Sequence, residues 1–226
     1  MRGYFISGLT GFGELLNRLG APQTLGFSEQ ENTNQDCRHY LKTFSFKKGY
    51  NLKVNLTLKN YYHELGIDSS HISNNLLDFC EQAQFQDLEV VDIDFKGRPF
   101  VLTHSTAIAW REMLIAAGSD NVIINPASGF RSYLIQKILI ENQLAEGLEL
   151  ANILTRTCIP GYSEHHTGRA VDICADPKIP ENEFHETETF YWMLTNAARF
   201  NFRLSYPQDN KYGMIFEPWH WFYTGI

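Results

Sequence analysis

The stretch Ser163-Glu164-His165-His166-Thr167-Gly168-Arg169-Ala170-Val171-Asp172-Ile173-Cys174 constrains this chain more than any other. Its second half alternates small or polar residues (Ala170, Asp172, Cys174) with branched apolar ones (Val171, Ile173), the period of a strand with one buried face. Val171 and Ile173 therefore face a core, and Asp172 projects from the other sheet face beside a very small neighbour. That leaves room for an ion, and Gly168 lets the chain turn so that His165 comes back toward the same point. Taken alone, a His and an Asp seven residues apart read as well as a structural hydrogen bond or as two surface residues.

A second cluster, Glu217-Pro218-Trp219-His220-Trp221, changes that weighing. Pro218 has no N–H for a sheet ladder, so it marks a strand start or an edge, with Glu217 in the turn before it and His220 on the strand. Two neutral imidazoles, His165 and His220, and one carboxylate, Asp172, make a three-ligand set with a fourth position open to water, the arrangement of a catalytic zinc. Glu217 then has a task as a carboxylate that is not a ligand. It can take the proton of an attacking water and deliver it to a leaving amine. The bland alternatives are a solvated turn residue for Glu217 and a core imidazole for His220; each fits singly, and the pair fits poorly.

A third segment, Ser128-Gly129-Phe130-Arg131-Ser132-Tyr133-Leu134-Ile135-Gln136, lies between a strand and a helix. Arg131 at the helix entrance can point a planar fork of donors at a carboxylate or a developing oxyanion. Ser128 or Ser132 can serve as a helix cap, and an arginine here also reads as a surface ion pair.

Composition limits the rest. With 226 residues, 43% of them hydrophobic, one main domain is expected. A net charge of -7 leaves no basic surplus for nucleic acid or an anionic membrane, and no run approaches the roughly 18 apolar residues of a membrane span. Glycines at positions 3, 8, 11 and 13, then Glu14, interrupt the apolar region that a signal peptide needs. Cys37, Cys80, Cys158 and Cys174 are scattered without a C-x-x-C pair and read as reduced thiols. A cytoplasmic location is expected, with the periplasm or cell envelope as the alternative.

Along the chain, the polar stretch from Ser28 to Arg38 reads as a surface loop. Two strands are expected around the turn 47–51, the second alternating through Leu52, Val54, Leu56 and Leu58. A helix over 70–83, opened by Ser69 or Ser70, places Ile72, Leu76, Leu77 and Cys80 on one side. Residues 88–102 read as two strands around Lys96-Gly97-Arg98. A helix follows from Ser105 to Ala117, with Ile108, Trp110, Met113 and Leu114 available to the core. Further elements are a strand at Asn121–Asn125, a helix at Ser132–Glu146, a strand at Ala170–Cys174 and a helix at Glu188–Phe200 ended by a left-handed Asn201. Two terminal strands are expected near Phe202–Tyr206 and Met214–Tyr223. The fold class is α+β, an antiparallel sheet flanked by helices. Residues 1–85 form an N-terminal extension without a chemical constellation, and 86–226 the catalytic domain.

In this order, S-G-F-R-S-x-x-x-Q at 128–136, P-G-Y-S-E-H-x-T-G-x-A-x-D at 160–172, and Y-P with E-P-W-H-W at 206–221 resemble the VanY-type D-alanyl-D-alanine carboxypeptidases. These belong to the zinc-dependent peptidases that also include the vancomycin-resistance dipeptidases. The resemblance covers roughly residues 105–226 and implies a hedgehog/DD-peptidase-like sheet fold. It implies zinc (Zn2+) held by His165, Asp172 and His220, with Glu217 as general base. By the same resemblance Arg131 stabilises the tetrahedral intermediate, Gln136 and Ser163 contact the substrate peptide, and His166 is not a ligand. The relatives often have Arg before Tyr-Pro and after E-P-W-H-[FW], where this chain has Ser205 and Phe222. Recognition of a peptide carboxylate would then rest on Arg131, Gln136 and Ser163, with Arg169 or Arg203 as further cations.

The resemblance implies removal of a C-terminal D-Ala from peptidoglycan stem peptides or muropeptides. An L,D-carboxypeptidase acting on recycled tetrapeptides suits a cytoplasmic enzyme; the alternatives are a D,D-carboxypeptidase on pentapeptides and an endopeptidase. A non-haem iron oxygenase shares the two-His, one-carboxylate set but leaves Glu217 and Arg131 without roles. A catalytically silent zinc-stabilised binding domain is disfavoured by the presence of Glu217.

Overall fold

The structure, a computed structural model, describes residues 50–179 and 181–225. Its elements run α1 (Tyr50–Leu65), α2 (Ser69–Ser73), β1 (Leu88–Ile93), β2 (Pro99–Thr103), α3 (His104–Ser119), β3 (Asn125–Ser128), α4 (Tyr133–Ala145) and α5 (Leu150–Ile153). They continue with β4 (Ala170–Cys174), α6 (Glu188–Asn196), β5 (Phe202–Leu204) and β6 (His220–Tyr223). β1 and β2 form an antiparallel hairpin, and the other four strands form an antiparallel sheet in the order β3-β4-β6-β5. The expected α+β class holds, and no helix among the described residues is long and apolar enough to cross a membrane.

The strand alternation sorts the sheet into two chemically different faces. Val171, Ile173, Trp221, Tyr223 and Phe202 pack into the main core with Trp110 and Met113 of α3 and Trp192 and Met193 of α6. Each such side chain, fully buried, contributes roughly 1.5–3 kcal/mol. On the other face Asp172 is the cross-strand partner of both His220 and Ser128. The Ser205 backbone N–H reaches the His220 carbonyl at 3.4 Å, which extends this row past the end of β5. Register alone therefore lines up Ser128, Asp172, His220 and Ser205 across the sheet.

Several expected elements are present within a residue or two: the hairpin at 88–103, α3, α4 capped by the Ser132 hydroxyl, and β4. Asn201 is left-handed at φ 62°, although the last turn before it, Ala197–Phe200, is 3-10 and not α. Others differ. The strand expected over Leu52–Leu58 is helix α1, and its partner over 41–46 lies outside the described residues, as do the polar stretch 28–38 and Cys37. Leu58 and Leu65 are buried while Leu56 is 58% exposed, a pattern that one strand face cannot give and a helical face can. The helix expected over 70–83 is only the five-residue α2, capped by the Asp68 carboxylate. Beyond it the backbone bonds elsewhere: the Cys80 N–H donates to the Gly161 carbonyl and the Ala83 N–H to the His166 carbonyl. Leu76, expected on a buried side, is 63% exposed.

Ile108 points outward on α3, while Trp110 and Met113 are fully buried. The strand expected at Asn121–Asn125 begins only at Asn125, and Asn121 is left-handed at φ 61°, outside the strand region. Pro126 is tolerated there because β3 is an edge strand. The last strand shrinks to His220–Tyr223, preceded by irregular chain from Met214. Residues 50–84 are packed on the rest: Leu65 and Ile67 share a cluster with Ile140, Ile153 and Ile159. Cys80, Cys158 and Cys174 are free thiols.

Candidate metal centre

His165 sits in the 3-10 turn Glu164–Thr167, and Gly168 ends that turn in the left-handed region at φ 67°. A Cβ at Gly168 would lie 2.8 Å from Leu88 Cδ2 and 3.1 Å from Thr103 Cγ2, so the turn is pressed against the hairpin. Gly129 is tighter still: a Cβ there would lie 2.4 Å from the Val101 carbonyl oxygen. That close approach aims the Gly129 carbonyl at His165 Nδ1, 2.7 Å away. A carbonyl only accepts, so Nδ1 carries the proton and Nε2 presents its lone pair.

His165 Nε2 is buried and makes no hydrogen bond, although Asp172 Oδ2 lies 3.1 Å from it. Burial, with Arg131 beside it, lowers the His165 pKa to about 4, so the ring is neutral near pH 7. Two lone pairs thus face each other in a buried space, an arrangement that a cation between them would relieve. Across the sheet His220 completes the set: Nδ1 is 2.9 Å from Asp172 Oδ1 and Nε2 is 2.9 Å from Glu164 Oε2. The donor atoms of His165, Asp172 and His220 lie within 4.8 Å of one another. Without a cation the His220 imidazole is held protonated by these two carboxylates, whose effect outweighs its burial and raises its pKa to about 10. The residues fit zinc: two imidazole nitrogens and a carboxylate, with the outward nitrogen of each ring hydrogen-bonded to an oxygen.

Glu164 had no role in the sequence reading and is the structure's addition to the centre. Its carboxylate accepts from Ser205 Oγ at 2.5 Å and from Arg203 Nη2 at 2.6 Å while facing His220. Burial opposes its ionisation, but these partners hold its pKa below the usual value. Its signal was its place beside the candidate ligand His165 in S-E-H, but nothing local tells that it faces a strand 56 residues away. His166 is occupied by the backbone: Nδ1 donates to the Arg131 carbonyl at 2.7 Å, and Nε2 accepts from the Gly161 N–H at 3.1 Å.

Glu217 is 7% exposed, with its backbone N–H on the Tyr206 carbonyl. Among the described residues no donor bonds its carboxyl group. Burial pushes its pKa to about 7, with Asp172 raising it further and His220, Arg131 and Arg156 opposing. Arg131 lies over the same space, with Nη2 3.4 Å from Asp172 Oδ2 and Nη1 3.4 Å from Gln136 Oε1, while its buried Nε has no partner. Gln136 is fully buried and donates to the Cys158 carbonyl at 2.8 Å, so it faces Arg131 from behind. Ser163 is buried at the start of the 3-10 turn.

Of the two further cations, Arg169 is tied to the Tyr223 and Gly225 carbonyls, and Arg203 to Glu164. Both stack over the ring of Phe222, at 5.1 and 5.0 Å. They therefore gather at Phe222, one of the two positions where the resemblance leads one to expect an arginine.

Residues 100–226 match the family model described as VanY, D-alanyl-D-alanine carboxypeptidase. A D-alanyl-D-alanine carboxypeptidase of Enterococcus faecalis is 34% identical over 128 residues, covering 51% of this chain and 46% of the relative. The chain spans about half the length of the curated relatives it matches. Among solved structures, the LdcB LD-carboxypeptidase aligns at 28% identity with a TM-score of 0.56, covering 65% of this chain and 70% of that one. VanYB in complex with D-alanine-D-alanine aligns at 29% identity with a TM-score of 0.52, covering 68% and 83%.

Proposed function

Because the chain belongs to the VanY family of D-alanyl-D-alanine carboxypeptidases, we propose that it is a zinc carboxypeptidase releasing a C-terminal D-Ala from peptidoglycan stem peptides. The observation that carries this reading is the buried, unbonded Nε2 of His165 facing Asp172, with Glu217 and Arg131 over the same space. Zinc held by His165, Asp172 and His220 would polarise the scissile carbonyl and bring the pKa of a coordinated water toward about 7. Glu217 takes a proton from the attacking water as the new C–O bond forms. It returns that proton to the D-Ala nitrogen as the C–N bond breaks, leaving a shortened peptide carboxylate and free D-Ala. A carboxyl group poised near neutrality suits both halves of that exchange.

Arg131 offers its guanidinium to the oxyanion that develops on the carbonyl oxygen, and Asp172 and Gln136 hold it in place. Arg131→Lys is expected to lower kcat by about 10²-fold, the scale of losing one oxyanion donor, because an ammonium cannot make the same planar contacts. Steady-state kinetics separate the roles: a change confined to KM would assign Arg131 to the substrate carboxylate instead.

Glu164 positions His220 by accepting from its Nε2–H, so that Nδ1 stays turned to the metal. Glu164→Gln removes the charge with little change of shape and is expected to weaken zinc by roughly 10- to 100-fold in chelator competition. An unchanged zinc affinity would reduce Glu164 to an ion pair with Arg203.

For the bond cleaved we favour the L,D reading, removal of D-Ala from tetrapeptides, which the likeness to the LD-carboxypeptidase supports. The second reading, D,D cleavage of pentapeptides, is supported by the likeness to VanYB in complex with D-alanine-D-alanine. Zinc-loaded protein incubated with equal concentrations of the two muropeptides is expected to release D-Ala faster from the tetrapeptide. Faster release from the pentapeptide assigns D,D specificity, and multi-residue fragments from cross-linked muropeptides would replace the carboxypeptidase by an endopeptidase.

A further inference from the structure

Residues 79–83 lie upstream of the family match, yet their backbone is bonded into the segments that carry His165 and Arg131. The Cys80 N–H donates to the Gly161 carbonyl at 2.7 Å, and the Ala83 N–H to the His166 carbonyl at 2.8 Å. Between these two bonds Gln82 and Tyr133 grip each other twice. The Gln82 N–H donates to the Tyr133 hydroxyl at 2.9 Å, and the Tyr133 N–H donates to Gln82 Oε1 at 2.8 Å. The Tyr133 hydroxyl in turn donates to the Cys80 carbonyl at 3.0 Å. Tyr133 opens α4 just after Arg131 and Ser132, so this grip fixes the point at which the arginine loop enters its helix.

His166 links the grip to Arg131 itself. Its fully buried ring stands edge-on to the Tyr133 ring, with centroids 4.6 Å apart. Nδ1–H donates to the Arg131 carbonyl while Nε2 accepts from the Gly161 N–H, so one imidazole in a single tautomer joins the two loops. The Arg131 N–H donates to the His165 carbonyl at 3.1 Å. Both backbone polar groups of Arg131 are therefore bonded to consecutive residues of the turn that holds a candidate ligand. Gln82, Tyr133 and His166 are all buried. A buried polar network of this kind holds one arrangement, because a displacement strands a donor or an acceptor away from water.

We infer that Gln82 and His166 are positioning residues for Arg131: residues 79–83 press the arginine loop, through Tyr133 and His166, onto the His165 turn and so set where the guanidinium stands over the metal centre. The inference rests on the peptidase reading above, in which Arg131 meets the oxyanion. It gives the segment ahead of the β1–β2 hairpin a part in the reaction.

The test uses two substitutions at His166 that each keep one of its bonds. Asparagine places an amide N–H where Nδ1 stands and keeps the donor to Arg131; glutamine places a carbonyl where Nε2 stands and keeps the acceptor for Gly161. On full-length, zinc-loaded protein, His166→Gln and Gln82→Ala are expected to lower kcat for D-Ala release about tenfold or more, with KM within about threefold, the scale on which a small displacement of a catalytic group acts. His166→Asn should lose no more than about threefold in kcat. Zinc content should match the wild type in all three. Deuterium uptake over residues 128–136, measured on the same preparations, should quicken in His166→Gln and Gln82→Ala and less in His166→Asn. Should Gln82→Ala fail to fold, the His166 pair decides. Wild-type kcat in His166→Gln, equal losses in the two His166 variants, a change confined to KM, or zinc lost in step with kcat overturns the inference. If zinc-loaded wild type releases D-Ala from neither stem peptide, the carboxypeptidase reading falls and the exchange data decide alone: uptake quickened in the stated order upholds the positioning network, and equal uptake overturns it.

Discussion

Glu217→Gln is expected to keep one zinc per chain and lose at least about 10²-fold in kcat, the scale of a positioned acid/base. The substitution leaves the three proposed ligands untouched and replaces the carboxyl group by an isosteric amide that cannot carry a proton between water and amine. The Glu217 backbone holds the turn through Tyr206 and His220, and glutamine preserves both bonds. Zinc content by elemental analysis and kcat on the stem peptide, measured on one preparation, check this result. A variant with near wild-type kcat would take the base away from Glu217.

His220→Ala is expected to abolish zinc retention and activity together, with occupancy after dialysis below about a tenth of the wild type, as losing one of three protein ligands implies. The effect reaches past the missing nitrogen. Asp172 and Glu164 both lean on this ring, and its removal leaves two largely buried carboxylates with fewer partners. Retained zinc with lost activity would mean that the metal sits on other ligands.

The centre was legible because strand alternation is a short-range code. Asp172 follows from the small-polar and branched-apolar alternation of 170–174, and the structure puts Val171 and Ile173 in the main core while Asp172 and Cys174 are only partly buried. The donor atoms of His165, Asp172 and His220 lie within 4.8 Å of one another, and Arg131 reaches Asp172. Leu52 to Leu58 shows the limit of that code, since four alternating apolar residues fit a strand until Tyr62 and Leu65 extend the buried stripe at helical spacing. The segment 74–84 shows another, because its backbone is drawn off to Gly161 and His166, contacts that no local pattern announces. Glu164 was overlooked for the same reason: what matters about it is which distant residue it faces.

The most direct test of the account is a crystal of the protein grown with zinc and measured on both sides of the zinc absorption edge. The account predicts a single anomalous peak bonded to His165 Nε2, Asp172 and His220 Nδ1, with His220 Nε2 still on Glu164. A peak held by other residues, or none at full zinc loading, would contradict it.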